Sequence, residues 1–301
     1  MSKLPFVSVC LLTYKRADIL PRSLDTLLAQ THGDFELIIC DDCSPDHTEQ
    51  VARAYEKRDP RVRYCRNERN LRYAGNQNAA IERARSDYVA IVHDGDIYRP
   101  DLIEKWVGAL VKYPTAALVF NALEALDDSG EKVVAVHRHP YFPLTSGKEL
   151  FDEMICRWGS PIFGIIMVRK SCVKSVGAFD TQFPVLADVD MWLRLLLKYD
   201  AAYIDEPLLR IAMKEKQHIN REVNWSIVAE TERIHRLNAQ RRYPDDKLKH
   251  KQLSRQLDRL FLRERLSILL HCLKPRRWMK IPEGVWGIFR ICARRWEAVE
   301  S

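Results

Sequence analysis

The sequence predicts an α/β protein: a mostly parallel sheet flanked by helices, followed by a C-terminal helical extension. Three observations predict it. Short apolar runs alternate with helix-patterned segments through the first 125 residues. From about residue 222 the pattern is helical only, and the charge is divided along the same line. The chain is 47% hydrophobic and 30% charged over 301 residues, enough for one large domain or two and unlike a disordered chain.

Taken in order, "FVSVCLL" (6–12), "FELIIC" (35–40), "RVRYCR" (61–66) and "DYVAIV" (87–92) read as buried strands. Between and after them, "ADILPRSLDTLLAQ" (17–30), "DHTEQVARAYEKR" (46–58), "AGNQNAAIERAR" (74–85) and "DLIEKWVGALVKY" (101–113) carry helical spacing. Strands that are apolar nearly throughout, separated by helices, belong to a parallel sheet covered on both faces. Residues 116–136 read as a hairpin turning at 127–130, 146–155 as a helix, 161–170 as a strand and 188–199 as an amphipathic helix. "AAYID" and "PLLRIAM" read as two further short strands. The division expected is a catalytic domain over 1–221, with halves 1–125 and 126–221, and a basic helical extension over 222–301.

Net charge is +7, but residues 222–301 alone hold 18 Lys+Arg against 10 Asp+Glu. The remaining 221 residues are balanced, with 30 basic and 31 acidic, so the main body needs no nucleic acid partner. Cys10, Cys40, Cys65 and Cys172 sit in apolar stretches as small hydrophobes, and the Cys40–Cys43 spacing lacks a second pair for zinc. No signal peptide and no membrane-spanning run are expected, which places the chain in a reducing cytoplasm.

Ligands of such sheets bind beyond the carboxyl ends of the strands. Thr13-Tyr14, Asp41-Asp42 and His93-Asp94-Gly95-Asp96 all fall there. Asp94 and Asp96 across one glycine suit a hard divalent cation that leaves coordination positions to water and phosphate. Asp188 and Asp190 open the amphipathic helix, where the helix dipole explains a carboxylate as readily as a general base does. His137, His139 and His218 read on their own as surface histidines.

Four segments together, 7–48, 70–103, 177–195 and 203–218, resemble the nucleotide-sugar-dependent glycosyltransferases of the GT-A (Rossmann-like) fold, in particular the inverting family 2 common in bacteria. The resemblance implies roles. Thr13, Tyr14 and Arg16 would wrap the nucleotide, Asp41 and Asp42 would contact the uracil or ribose, and Arg72 would lie near it. Asp94 and Asp96 would form the DxD motif for Mn²⁺ or Mg²⁺, with Asp94 also near the nucleotide. His218 would reach the metal or the diphosphate, and Asp188 would be the base. A nucleotide-sugar donor, UDP-linked before GDP- or dTDP-linked, would give its sugar to a hydroxyl of a saccharide or lipid-linked acceptor. The chain departs from the pattern at His93 and Gly95, where relatives often carry aspartate, at Ala187 before the base, and at Asn76 and Asn78. Other readings are a non-catalytic GT-A protein binding saccharide or nucleotide, and a sugar nucleotidyltransferase; "LLTYKRADI" lacks the glycines of the latter's phosphate loop. The basic extension, with Phe261, Trp278, Trp286, Phe289 and Trp296, would lie on the inner face of a membrane, or pack on the catalytic domain or a second copy of the chain.

Overall fold

The computed structural model of the protein describes residues 3–127, 129–212 and 225–272. Four parallel strands make its centre: β1 (Val7–Thr13), β2 (Phe35–Asp41), β3 (Val62–Arg66) and β4 (Tyr88–His93), laid side by side as β3-β2-β1-β4. Every residue of β1 and β2 is buried, as their continuous apolar runs require. The strands end in step, with Thr13 beside Asp41, Asp41 beside Arg66 and Leu12 beside His93. That register brings the polar residues after each strand to one edge.

Helices α1 (Leu20–Leu28), α2 (Thr48–Arg58) and α3 (Arg72–Arg83) connect these strands. α1 starts on a proline-containing turn and buries Leu20, Leu24 and Leu27, one stripe at i, i+4, i+7. After β4 come the two-residue β5 (Ile97–Tyr98) and α4 (Leu102–Lys112), whose buried Trp106 donates its indole N–H to Asn121 Oδ1 at 2.9 Å.

The second half of the sheet is mixed. β6 (Ala116–Leu126) pairs antiparallel with β7 (Val133–His137), the expected hairpin. β8 (Leu144–Thr145), α5 (Gly147–Ile155), β9 (Ile166–Arg169), α6 (Lys170–Val176), α7 (Ala187–Leu196) and β10 (Asp200–Ala212) follow. β9 slots antiparallel between β4 and β6, and the full order is β3-β2-β1-β4-β9-β6-β10-β5. The strand expected over 161–170 is therefore only Ile166–Arg169. The two strands expected after residue 200 are one, β10, with register shifts between Ile204 and Leu209. Pro207 has no N–H to give the ladder, so the strand bulges there instead of ending.

The described residues fall into two compact units. One holds 3–151 and 161–212; the other holds 152–160 and the helices α8 (Trp225–Arg242) and α9 (Lys247–Cys272). In the second, Val228, Ile234 and Ala239 of α8 and Leu253, Leu257, Leu260 and Phe261 of α9 are buried, with His235 edge-on to Phe261 at 5.6 Å. Glu232 pairs with Arg265 at 2.7 Å and with Arg236 at 2.8 Å, and Arg236 reaches Asp258 at 2.7 Å. Among the described residues no helix is long and apolar enough to cross a membrane.

Candidate functional site

The loop after β1 is sewn to the loop after β2. Lys15, held at φ 57°, donates its N–H to Ser44 Oγ at 2.9 Å, and Arg16 N–H reaches Thr48 Oγ1 at 3.3 Å. Thr13 at the base of that loop is 3% exposed, and its Oγ1 has no partner within the protein. A buried hydroxyl without a partner costs about 1–3 kcal/mol, which a bound ligand can recover. Tyr14 stands half-exposed at the rim.

Asp41 and Asp42 separate into two jobs. Asp41 is fully buried: Ser44 donates to Oδ1 from both its N–H (3.0 Å) and its hydroxyl (2.5 Å), and Tyr64 O–H donates to Oδ2 at 2.6 Å. It shapes the loop from within. Asp42 Oδ1 accepts from Asn67 Nδ2 and from the Leu71 N–H, each at 2.8 Å, and so holds the segment leading to Arg72. Asn67 also binds Asn76, which donates to the Cys40 carbonyl; this explains Asn76 as part of the scaffold. Asn78 bonds the Phe179 backbone in both directions, at 2.8 and 2.9 Å. Arg72 is exposed, in the left-handed region at φ 61°.

At the end of β4, Asp94 N–H continues the ladder to the Leu12 carbonyl at 3.4 Å, and its carboxylate lies 3.8 Å from Arg16 Nε. Gly95 turns the chain at φ 80°, a conformation that suits glycine. Asp96 is only 1% exposed, and its carbonyl accepts from Ser23 Oγ at 2.8 Å. Tyr98 clamps this turn. Its hydroxyl accepts the His93 N–H at 2.9 Å and donates to the His93 carbonyl at 2.6 Å. Burial, and after it the charge of Asp96, push the Tyr98 pKa well up, so the phenol stays protonated.

α7 resolves its two acids. Asp190 is fully buried and pairs with Arg194 Nε at 2.7 Å; Arg194 also donates to the carbonyls of Val176, Gly177 and Ala178. Asp188 is half-buried in the first turn, its Oδ1 accepting the Val189 N–H at 2.9 Å. A β-carbon placed on Gly164 would lie 3.0 Å from His93 Cε1 and 3.3 Å from Asp188 Oδ2, and would collide with the Tyr73 hydroxyl. Gly164 therefore marks the point where β4, α3 and α7 converge.

The expected site residues Thr13, Tyr14, Arg16, Asp41, Asp42, Arg72, Asp94, Asp96 and Asp188 all belong to one compact unit. His218 lies outside the described residues. Tyr73, Tyr98 and Gly164 were missed by sequence reasoning; Tyr98 stands two residues beyond Asp96 and carried no signal, because its role depends on reaching back to His93. His137 and His139 are not simply surface residues: one lies 5.8 Å from the Phe163 ring and the other is stacked on Tyr141 at 5.2 Å.

Residues 8–176 match the family described as Glycosyl transferase family 2, more than half of the chain. The chain belongs to that family. Among its relatives, EpsE of Bacillus subtilis (strain 168), named as a glycosyltransferase, is 27% identical over 232 residues, 75% of this chain and 80% of EpsE. TuaG of the same organism, named as a teichuronic acid biosynthesis glycosyltransferase, is 26% identical over 241 residues, 78% of this chain and 92% of TuaG. Among solved structures, S. aureus TarS 1-349 in complex with UDP-GlcNAc superposes with a TM-score of 0.72 at 16% identity, covering 95% of this chain and 80% of that one. The mannosyltransferase PcManGT from Pyrobaculum calidifontis, in complex with GDP-Man and Mn²⁺, gives 0.53 at 14% identity, covering 97% and 87%. These likenesses show the GT-A-like fold.

Among the described residues no three or more His, Cys, Asp or Glu side chains gather to hold a metal ion. Asp94 and Asp96 nevertheless fit one as a donor set. Two carboxylates, one on each side of the Gly95 turn, are the hard oxygen donors that Mg²⁺ or Mn²⁺ takes while leaving positions to water and phosphate.

Proposed function

We propose that this family 2 enzyme transfers a sugar from a nucleoside-diphosphate sugar, UDP-linked, to a hydroxyl of a saccharide or lipid-linked saccharide with inversion, in cell-surface polysaccharide or glycolipid synthesis. The observation that carries the proposal is the convergence at Gly164, where His93, the last residue of β4 and the one before Asp94, comes close to Asp188. Relatives named for teichuronic acid and colanic acid biosynthesis and a structural neighbour solved with UDP-GlcNAc support it.

Thr13 Oγ1 and Asp42 would meet the nucleoside, with Tyr14 and Arg72 at its edges and Asp41 holding the loop. Arg16 would face the diphosphate beside Asp94. Asp94 and Asp96 would hold Mg²⁺ or Mn²⁺, which when bound neutralises charge developing on the departing diphosphate. Asp188 would take the proton from the acceptor hydroxyl as that oxygen attacks the anomeric carbon opposite the leaving group. A single displacement inverts the centre and needs no protein nucleophile, the logic of inverting glycosidases with a sugar hydroxyl in place of water. With Asp190 committed to Arg194, Asp188 is the acid of α7 suited to that task.

A donor screen tests the reading by measuring nucleoside diphosphate release with Mn²⁺ or Mg²⁺ and after chelation. UDP-sugars should support release that chelation abolishes. Asp94→Asn and Asp96→Asn, made separately, should each raise the metal concentration needed, and the larger rise identifies the main ligand. Release from no donor with either metal would defeat the proposal.

A further inference from the structure

Tyr73 of α3 takes no part in the reaction as set out above, yet its hydroxyl reaches the same point as the base. It lies 3.4 Å from His93 Nε2, with the two rings edge-on at 5.8 Å between centroids. Burial first, and the charge of Asp188 second, raise its pKa well above that of a free phenol. The O–H therefore stays protonated at working pH and cannot compete with Asp188 for the acceptor's proton. Gly164 closes the other side, with the Tyr73 hydroxyl, His93 Cε1 and Asp188 Oδ2 all crowding the space where its β-carbon would be. A side chain there would have to push at least one of the three away.

We propose that Tyr73 and Gly164 are positioning residues for Asp188: the phenol hydroxyl and the bare α-carbon together hold the His93 imidazole and the Asp188 carboxylate in one orientation toward the acceptor oxygen. The inference rests on the reading of Asp188 as the base. Its physical basis is tolerance. Reacting groups must be held within about 0.5 Å of the productive geometry, and a displacement of about 1 Å can cost on the order of 100-fold in rate. Tyr73 keeps its ring contacts as phenylalanine, so Tyr73→Phe removes only the oxygen. Gly164→Ala adds the methyl that meets that oxygen.

The test is steady-state kinetics and thermal melting of the full chain carrying Tyr73→Phe, Gly164→Ala and both, with Asp188→Asn alongside. Tyr73→Phe should lower kcat by about 10-fold, with donor and acceptor KM within about twofold and an unchanged melting temperature. Gly164→Ala should lower kcat by about 100-fold. The double variant should be faster than Gly164→Ala alone, because the atom in the methyl's way is gone. A purely structural role would move melting temperature or KM and give no such rescue. Tyr73→Phe at the wild-type kcat, or a double variant slower than both single ones, overturns the inference. If Gly164→Ala does not fold, Tyr73→Phe alone decides. If Asp188→Asn is inactive while Tyr73→Phe is fully active, only the positioning claim falls; if Asp188→Asn is itself fully active, the base assignment falls and takes this inference with it.

Discussion

Asp188 and Asp190, two residues apart in one helical turn, differ in burial and pairing: Asp190 is fully buried on Arg194, and Asp188, half-buried, is the one proposed as the base. A buried carboxylate bonded to a guanidinium that also ties three carbonyls cannot be spared. Removing one partner of such a pair leaves the other charge buried and costs about 3–5 kcal/mol. Asp190→Ala should therefore lower the melting temperature sharply, a loss that calorimetry would detect, while Asp188→Asn should melt as the wild type does. The residues alone left both acids as helix-start residues or bases, and the resemblance to family 2 chose Asp188. The i, i+4 spacing of Asp190 and Arg194 was readable, but the carbonyls of 176–178 that complete the clamp were not. Asp41 and Asp42 are both buried and both tie down backbone or side chains: their place at a strand end was legible, but Tyr64 and Ser44 closing on Asp41, and Asn67 and Leu71 on Asp42, needed the fold.

The elements followed the hydrophobic pattern where that pattern had one cause. β1 to β4 and α1 to α4 lie within a few residues of their expected bounds, because continuous burial and helical stripes leave few alternatives. The second half was less legible. Whether β9 runs parallel or antiparallel is a matter of pairing partner, which a run of Ile, Met and Val does not specify. β5 has two residues and no period to read. α8 carries a pH-dependent consequence. His235 is buried edge-on to Phe261, and burial lowers its pKa to about 4, against about 6.5 unfolded. Between those values the unfolded chain binds the proton and the folded one does not, so stability falls as pH drops from about 6.5 towards about 4, by roughly 3 kcal/mol in all. Above that window the effect vanishes. Melting curves from pH 7 to pH 4 should show a steeper decline for the wild type than for His235→Gln; equal slopes would contradict the account.

At the scale of the whole molecule, the charge division read from sequence separates a balanced main body from a basic C-terminal part. In the described portion of that part, the apolar residues of α9 from Leu253 to Phe261 are buried, which favours packing over membrane insertion for that stretch. Trp278, Trp286, Phe289 and Trp296 lie outside the described residues. We propose that peripheral contact with an anionic membrane, if the acceptor is lipid-linked, falls to residues 273–301. The full chain should then float with anionic vesicles and a chain ending at residue 272 should not; equal behaviour would remove the contact.

The central claim, a single displacement at a nucleotide-sugar site with Asp188 as base, is tested most directly by comparing the wild type with Asp188→Asn. The paired measurements are UDP release in the presence of acceptor and UDP affinity by calorimetry. The variant should lose on the order of 100-fold or more in turnover, as loss of a general base does, while binding UDP as tightly as the wild type. Turnover by Asp188→Asn at the wild-type rate would contradict it.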